Sequence, residues 1–220
     1  MAEQKPRIIE SPQLVMFTAA PNAEGKRSKL VWGIRNGYPR ITVFTNDPND
    51  KGPGIVNSVI SAPVDMATMH IFLTLLEQIA TGPNDIKNKV DCFTLKWVDG
   101  QRTDERILLS EIWIGKDSEG MVWISLIAPA RPKIKFTYRV SDWHGIYKTD
   151  GVQMTEAEGS TLAALAACFL LKQAYSTVFS GTLNGAISVQ SFSDAPKTTD
   201  WGTAKSADGS TDTTFDDVFL

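Results

Sequence analysis

Eight bases and seven aromatic residues crowd two short stretches of this 220-residue chain. Residues 29–45 and 131–148 hold Lys29, Arg35, Arg40, Arg131, Lys133, Lys135, Arg139 and Lys148, against one acid, Asp142. Among them stand Trp32, Tyr38, Phe44, Phe136, Tyr138, Trp143 and Tyr147. Cations that neutralise phosphates, beside flat rings on which bases stack, are what a surface needs to hold a single nucleic-acid strand without reading base edges. The candidate binding residues are Lys29, Trp32, Arg35, Tyr38, Arg40, Trp123, Lys133, Lys135, Arg139 and Trp143. After Pro132, alternation puts Ile134, Phe136, Tyr138 and Val140 on a core face, and Lys133, Lys135, Thr137 and Arg139 on a basic stripe. The plain alternative is a solvated sheet face whose charges guard against aggregation. Which of Trp32, Trp113, Trp123 and Trp143 face outward depends on register, because a one-residue slip turns every side chain over.

Other chemistry is scarce. His70 and His144 lie in unrelated contexts, and neither Cys-x-x-Cys nor His-Glu-x-x-His occurs, which argues against a zinc site. Gly52-Pro53-Gly54 is not followed by Gly-Lys-Ser/Thr, so it is no phosphate loop, and no Gly-x-Ser-x-Gly elbow appears. Asp99, Asp104, Glu105 and Glu111 gather. Paired carboxylates can hold magnesium for nuclease work, but Asp99, Asp104 and Glu105 lie in a hairpin loop where charge is simply solvated. The expectation is a protein that is not an enzyme and needs no cofactor or metal.

The elements that must carry the basic and aromatic residues form a repeated plan. Residues 29–45 alternate and are split by Asn36-Gly37, which supplies the positive φ of a tight hairpin. Residues 14–18 and 55–60 read as further strands. A helix follows over 63–81, capped by Ser61, with Pro63 and Asp65 in its first turn and Phe72, Leu75, Leu76 and Ile79 on one face. Gly82-Pro83 stops it. Residues 92–98, 107–114, 121–128 and 134–140 read as strands, with turns at Asp99-Gly100 and 117–120. Thr155 and Glu158 make a capping box for a helix over 156–177, with Leu162, Leu165, Phe169 and Leu170 as its buried stripe. Val31-Trp32 matches Val122-Trp123, Pro39-Arg40-Ile41 matches Pro132-Lys133-Ile134, and Leu75-Leu76-Glu77-Gln78 matches Leu170-Leu171-Lys172-Gln173. Aligned this way, each half is β-β-β-β-α, with 92–98 left over as an extra strand. The fold class is α+β, two antiparallel four-stranded sheets each followed by a helix; the alternative is an OB-fold-like barrel with added helices. Residues 1–193 form one duplicated domain, with half-units at about 13–82 and 91–178.

Charge and composition set the tail apart. Residues 194–220 hold six acids and two bases, which leaves a nearly neutral body of 20 bases and 19 acids. They are rich in Ser, Thr, Gly and Asp, a composition that buries too little apolar surface to order itself. Their apolar residues, Trp201, Phe215, Val218, Phe219 and Leu220, are spaced as anchors. A short strand at 186–189 precedes them. The polar N-terminus lacks the apolar stretch of a secretory signal, no apolar run reaches the length of a membrane span, and Cys92 and Cys168 each sit in an apolar segment. Buried thiols in a reducing compartment are expected, so the cytoplasm, with no membrane association, is the expected location.

The closing Phe-Asp-Asp-Val-Phe-Leu resembles the tails of bacterial and phage single-stranded DNA-binding proteins, an acidic run tipped by apolar residues. The resemblance implies that Asp216, Asp217, Phe219 and Leu220 recruit replication or recombination proteins and compete with DNA for the basic surface. The doubled β-β-β-β-α unit with a basic sheet, roughly residues 13–178, resembles the Whirly class of single-strand binders, although the Lys-Gly-Lys-Ala-Ala-Leu motif of its plant members is absent. That likeness implies two units about a pseudo-twofold axis, sheets outward and helices inward, and leaves a homo-oligomer open. The combined expectation is a phage-type protein of DNA replication or recombination in the infected host cell, with single-stranded DNA as ligand. RNA stays admissible, because nothing reads a 2′-hydroxyl. The competing reading is a protein-interaction or assembly module that works through its tail.

Overall fold

Strand patterning dominates the first third of the chain. In the computed structural model, which describes residues 11–21, 25–35, 38–47, 50, 59–98 and 101–183, the strands β1 (Ser11–Pro21), β2 (Arg27–Arg35), β3 (Tyr38–Phe44) and β4 (Val59–Pro63) form an antiparallel sheet in that order. The β2–β3 hairpin closes with Arg35 opposite Tyr38, on either side of Asn36-Gly37. Of the strand expected over 55–60, residues 55–58 lie outside the described residues, and the last two belong to β4, Val59–Pro63.

Helix α1 (Met66–Thr81) starts later than Ser61 and Pro63 suggest, because both belong to β4. Its cap is Asp65, whose carboxylate accepts from the Thr68 backbone N–H at 2.9 Å and from the Thr68 hydroxyl at 2.6 Å. That satisfies one of the helix's orphan donors and places a negative charge at the positive end of the dipole. Phe72, Leu76 and Ile79 are buried as expected, joined by Met69 and Leu73, with Leu75 partly buried. At the other end the Lys116 amino group donates to the carbonyls of Ala80 at 3.1 Å and Gly82 at 3.0 Å, where a cation suits the last turn.

The second sheet has the order β5 (Ile86–Val98), β6 (Gln101–Lys116), β7 (Val122–Ile127) and β8 (Phe136–Thr137), again antiparallel. Residues 92–98 are no extra strand but the end of β5, the first strand of this sheet. The sequence matches are therefore one strand out: Val31-Trp32 lies in the second strand of its sheet, and Val122-Trp123 in the third. The strand expected over 134–140 shrinks to a two-residue ladder on β7, so three long strands carry this sheet. Its facing pattern holds all the same. Phe136 and Tyr138 are buried, while Lys133, Lys135 and Arg139 are exposed. β5 and β6 outrun the rest: β7 pairs only Glu111–Lys116, so beyond the ladder partners Asp91 and Glu111 the two long strands continue as a ribbon paired with each other.

Helix α2 (Glu156–Leu183) follows, opened by the expected box: Glu158 accepts from the Thr155 N–H at 2.9 Å, and the Glu158 N–H donates to the Thr155 hydroxyl at 3.2 Å. Its buried stripe is not the expected one. Ala164, Ala167, Cys168, Leu171, Tyr175 and Val178 face the core; Leu162, Phe169 and Leu170 are exposed and Leu165 only partly covered. The small residues bring α2 close to α1, where the Cys168 thiol meets the Leu73 carbonyl and the Thr161 hydroxyl meets that of Ala80. By length and apolar character alone Glu156–Ser180 would suffice to cross a membrane, yet one side of it is built into this core.

One core joins both halves. A buried ion pair ties them as well: the Arg131 guanidinium grips both carboxylate oxygens of Asp50, which also accepts from the Thr45 hydroxyl at 2.6 Å. Cys92 and Cys168 are both buried free thiols. Burial pushes the first up to about 11 and the second up to about 12, so neither is a nucleophile near neutral pH.

Candidate nucleic-acid interface

Alternation along β5, β6 and β7 sorts the second sheet into two faces. Ile112, Ile114, Val122, Ile124 and Leu126 go inward. The outer face receives Lys87 and Lys89 from β5, Trp113 and Gly115 from β6, and Trp123 and Ser125 from β7. The register sets Trp113 between Lys89 and Ser125, and Gly115 between Lys87 and Trp123. Thr137 stands opposite Trp123 on the far side, and the exposed Lys133 and Lys135 precede it.

Gly115 explains the pose of Trp123. A Cβ at position 115 would lie 2.5 Å from Cζ2 and 2.7 Å from Cε2 of the indole, so the ring lies against the bare backbone of β6. A glycine within a strand is the usual mark of such a close approach. The Lys135 amino group sits 5.5 Å from the Trp123 ring centroid, and those of Lys87 and Lys89 each sit 5.7 Å from that of Trp113. These are cation–π distances. Along the ribbon the pattern recurs, with the Arg106 guanidinium 5.0 Å from the half-exposed Phe93 ring.

Carboxylates hold this face in order. Glu111 accepts from the Lys89 amino group at 2.8 Å and from the Trp113 indole N–H at 3.0 Å. Its carboxyl is held below the usual range chiefly by the Lys89 hydrogen bond, then by Trp113, with the charges of Lys89 and Lys133 adding to it. Asp91 also reaches Lys89, at 2.9 Å, and Asp117 holds Lys135 at 2.7 Å. An anion here thus engages a lysine and an indole N–H together, the donors a phosphate oxygen would use.

The first sheet offers a different outer face. Lys29 lies opposite Phe44, Gly33 opposite Arg40 and Arg35 opposite Tyr38. Lys29, Tyr38 and Phe44 are exposed and Arg40 is half-buried. Trp32 is a correction: it is fully buried, its ring 5.7 Å from that of Phe72, because β2 turns it inward opposite Ile41. It cannot stack on a base. Arg131, one of the eight clustered bases, is likewise buried, spent on Asp50.

Among the remaining expected site residues, Trp123, Lys133 and Lys135 come together on the second sheet. Arg139 lies past β8, lining a cleft with His144 and Glu156 at the start of α2. Trp143 is 91% exposed on a turn made by Ser141 and His144. The tail residues Asp216, Asp217, Phe219 and Leu220, the segment 186–189 and Asp99 lie outside the described residues. Lys87 and Lys89 are not among the expected binding residues, and Trp113, whose face the sequence leaves open, turns to the outer side. Yet Ile86-Lys87-Asn88-Lys89-Val90-Asp91 alternates plainly, with Lys87, Lys89 and Asp91 on one side. Among the described residues no group of three His, Cys, Asp or Glu side chains could hold a metal ion. Asp104 and Glu105 are solvent-exposed, with Glu105 paired to Lys96 at 2.9 Å.

Comparison with protein-family models, with curated proteins and with solved structures finds no match for this chain.

Proposed function

We propose that this chain is a non-enzymatic single-stranded DNA-binding protein that holds its ligand on the outer face of the second sheet. The observation that carries the reading is the pair of indoles, Trp113 and Trp123, set at diagonal positions on one face of adjacent strands with lysine amino groups at each ring. Bases stack on such rings whatever their identity, and the lysines take the phosphates. No base-edge readout follows from this arrangement, so little sequence preference is expected. The equal strand order of the two halves, each followed by a helix, supports a Whirly-like duplicated fold as the finer description. A place in DNA replication or recombination, in the cytoplasm of a phage-infected cell and with partners recruited through residues 216–220, belongs to the same proposal. It rests on the acidic, apolar-tipped tail.

The test is a titration of the full chain with oligo-dT, read by tryptophan fluorescence at several salt concentrations, beside duplex of equal length. Stacking should quench the emission, single strands should bind in preference to duplex, and affinity should fall steeply with salt. Absence of quenching together with absence of binding at low salt rejects the reading. Disappearance of the oligonucleotide with magnesium present would instead assign a nuclease.

A further inference from the structure

The outer face of the second sheet does not end where β7 stops pairing. β5 runs past Asp91 without an extra residue, so Phe93 and Leu95 keep the side taken by Lys87 and Lys89, while Cys92 and Thr94 are buried on the other. The irregularity falls on β6. Ser110 stands opposite Cys92 and Leu108 opposite Phe93, which leaves Leu109 as the extra residue. Such a bulge bends a ribbon as it leaves its sheet. Beyond it, Leu108 and Arg106 face outward as the ladder partners of Phe93 and Leu95. Phe93, Leu108 and Arg106 are all exposed.

Charge on the ribbon is sorted by face. Lys96, on the side of Thr94, is paired to Glu105 at 2.9 Å. On the outer side the Arg106 guanidinium makes no hydrogen bond or ion pair among the described residues, and lies 5.0 Å from the Phe93 ring centroid. A cation set on an aromatic ring is the arrangement found at both indoles, so the ribbon continues that face and is not a separate apolar patch.

We propose that the ribbon is the second half of the strand-binding surface. A single strand stacked on Trp113 and Trp123 runs on past Asp91 and meets Arg106 and Phe93. The proposal rests on the reading of the sheet face as the nucleic-acid site, and adds a length requirement to its ligand. Arg106, steadied by the ring beneath it, can grip a phosphate with two N–H groups and offer its plane to a base. The path is short. Trp113 lies opposite Lys89, four residues from Phe93 along β5, or about 13 Å at roughly 3.3 Å per residue. The ladder pair Asp91 and Glu111 lies between. Lys89 holds both carboxylates, at 2.9 and 2.8 Å, and the charge of Lys133 also acts on Glu111, so two cations offset two acids along the way.

The experiment sets the full chain beside the double variant Phe93→Ala, Arg106→Gln, with oligo-dT of rising length. Affinity is read by anisotropy of an end-labelled strand, and stacking by the quench of tryptophan emission. For the parent, affinity should rise on the order of tenfold between the shortest strand that quenches and one several nucleotides longer. The double variant should bind the short strand as the parent does, which also shows that it folds. It should keep only the part of the gain that extra binding registers supply. Arg106→Gln alone should lower the slope of log affinity against log salt by about 0.7, for the long strand only. Leu108→Lys, which adds a cation beside Phe93, should tighten binding of the long strand several-fold. A double variant that keeps the whole gain overturns the proposal and leaves the sheet-face reading standing. So does a Leu108→Lys chain no tighter than the parent. A parent that neither quenches nor binds at any length overturns both.

Discussion

The outer faces of the two sheets place a glycine in the same strand position and use it in opposite ways. Gly33, in the second strand of the first sheet, stands opposite Arg40; Gly115, in the second strand of the second sheet, stands opposite Trp123. On the first sheet the neighbouring indole, Trp32, turns inward and fills the core against Phe72. On the second, both indoles stay outside, one of them lying where Gly115 leaves room. A difference of one residue in phase thus converts an aromatic from packing to platform. Basic residues beside aromatic ones in sequence do not make a binding surface until that phase is set.

The largest effect tests whether the two sheets form one cooperative unit. Asp50→Ala leaves the Arg131 guanidinium buried without its partner and should destabilise the fold by about 3–5 kcal/mol in urea unfolding. A loss below about 1 kcal/mol, the scale of an exposed pair, would show that the link is dispensable. The same pair sets an acid limit. The hydrogen bond from Arg131 holds the Asp50 carboxyl below its ordinary value, against the opposing cost of desolvation. Its contribution is therefore complete above the unfolded carboxylate range and is lost as pH falls through the lower folded value. Unfolding midpoints at stepped acid pH should fall more steeply for the parent than for Asp50→Asn.

Next comes the contrast between the faces. Replacing Trp113 and Trp123 together by Ala should remove the oligo-dT quench and cost about 1–3 kcal/mol for each base that stacks. Lys29→Ala with Arg40→Ala, on the first sheet, should cost far less. Equal losses from both sheets would break the comparison and make the site two-sided. Gly115→Ala sharpens it further. The added methyl must displace the Trp123 ring and would also meet the Ile86 carbonyl oxygen at 2.9 Å, so binding should weaken on the order of tenfold, about 1.4 kcal/mol, with a lowered urea midpoint where the β5–β6 backbone has to shift. Binding as tight as the parent's would show that the ring's pose is irrelevant.

The smallest effect concerns Glu111. Its carboxylate occupies donors that a phosphate would use, so Glu111→Gln should tighten single-strand binding several-fold at low salt. Weaker binding would mean that Glu111 serves to orient Trp113 and Lys89 rather than to compete.

Much of the fold was legible because its signals were local. The hairpin at Asn36-Gly37, the box of Thr155 and Glu158, and the alternation from Lys133 to Arg139 each depend on a few adjacent residues. The face of α2 was not legible. Residues 162–171 hold only Ala, Leu, Phe and Cys, so the 3.6-residue period has no polar side there to fix its phase, and the small residues chosen by close approach to α1 lost to the larger ones in a reading by hydrophobicity. The helix start moved from Ser61 to Asp65 because β4 needed Ser61 and Pro63 for its ladder with β3. The site was half legible. Lys133 and Lys135 are exposed as the alternation after Pro132 suggests, though they precede the short β8, but the outward turn of Trp123, the inward turn of Trp32 and the burial of Arg131 are decided by partners, Gly115, Phe72 and Asp50, that no local pattern names.

The ribbon that β5 and β6 form beyond the reach of β7 has a kinetic consequence. A two-stranded hairpin without a third strand is marginal in water, so its ladder from Phe93 to Leu108 opens without waiting for the core to unfold. Backbone amides there, such as Thr94 and Arg106, should exchange with solvent deuterium sooner than those of Ile112 and Ile114, which are flanked on both sides. A strand bound along the outer face would slow that exchange as far out as it reaches. Arg106 above Phe93 would then mark, amide by amide, where the footprint ends.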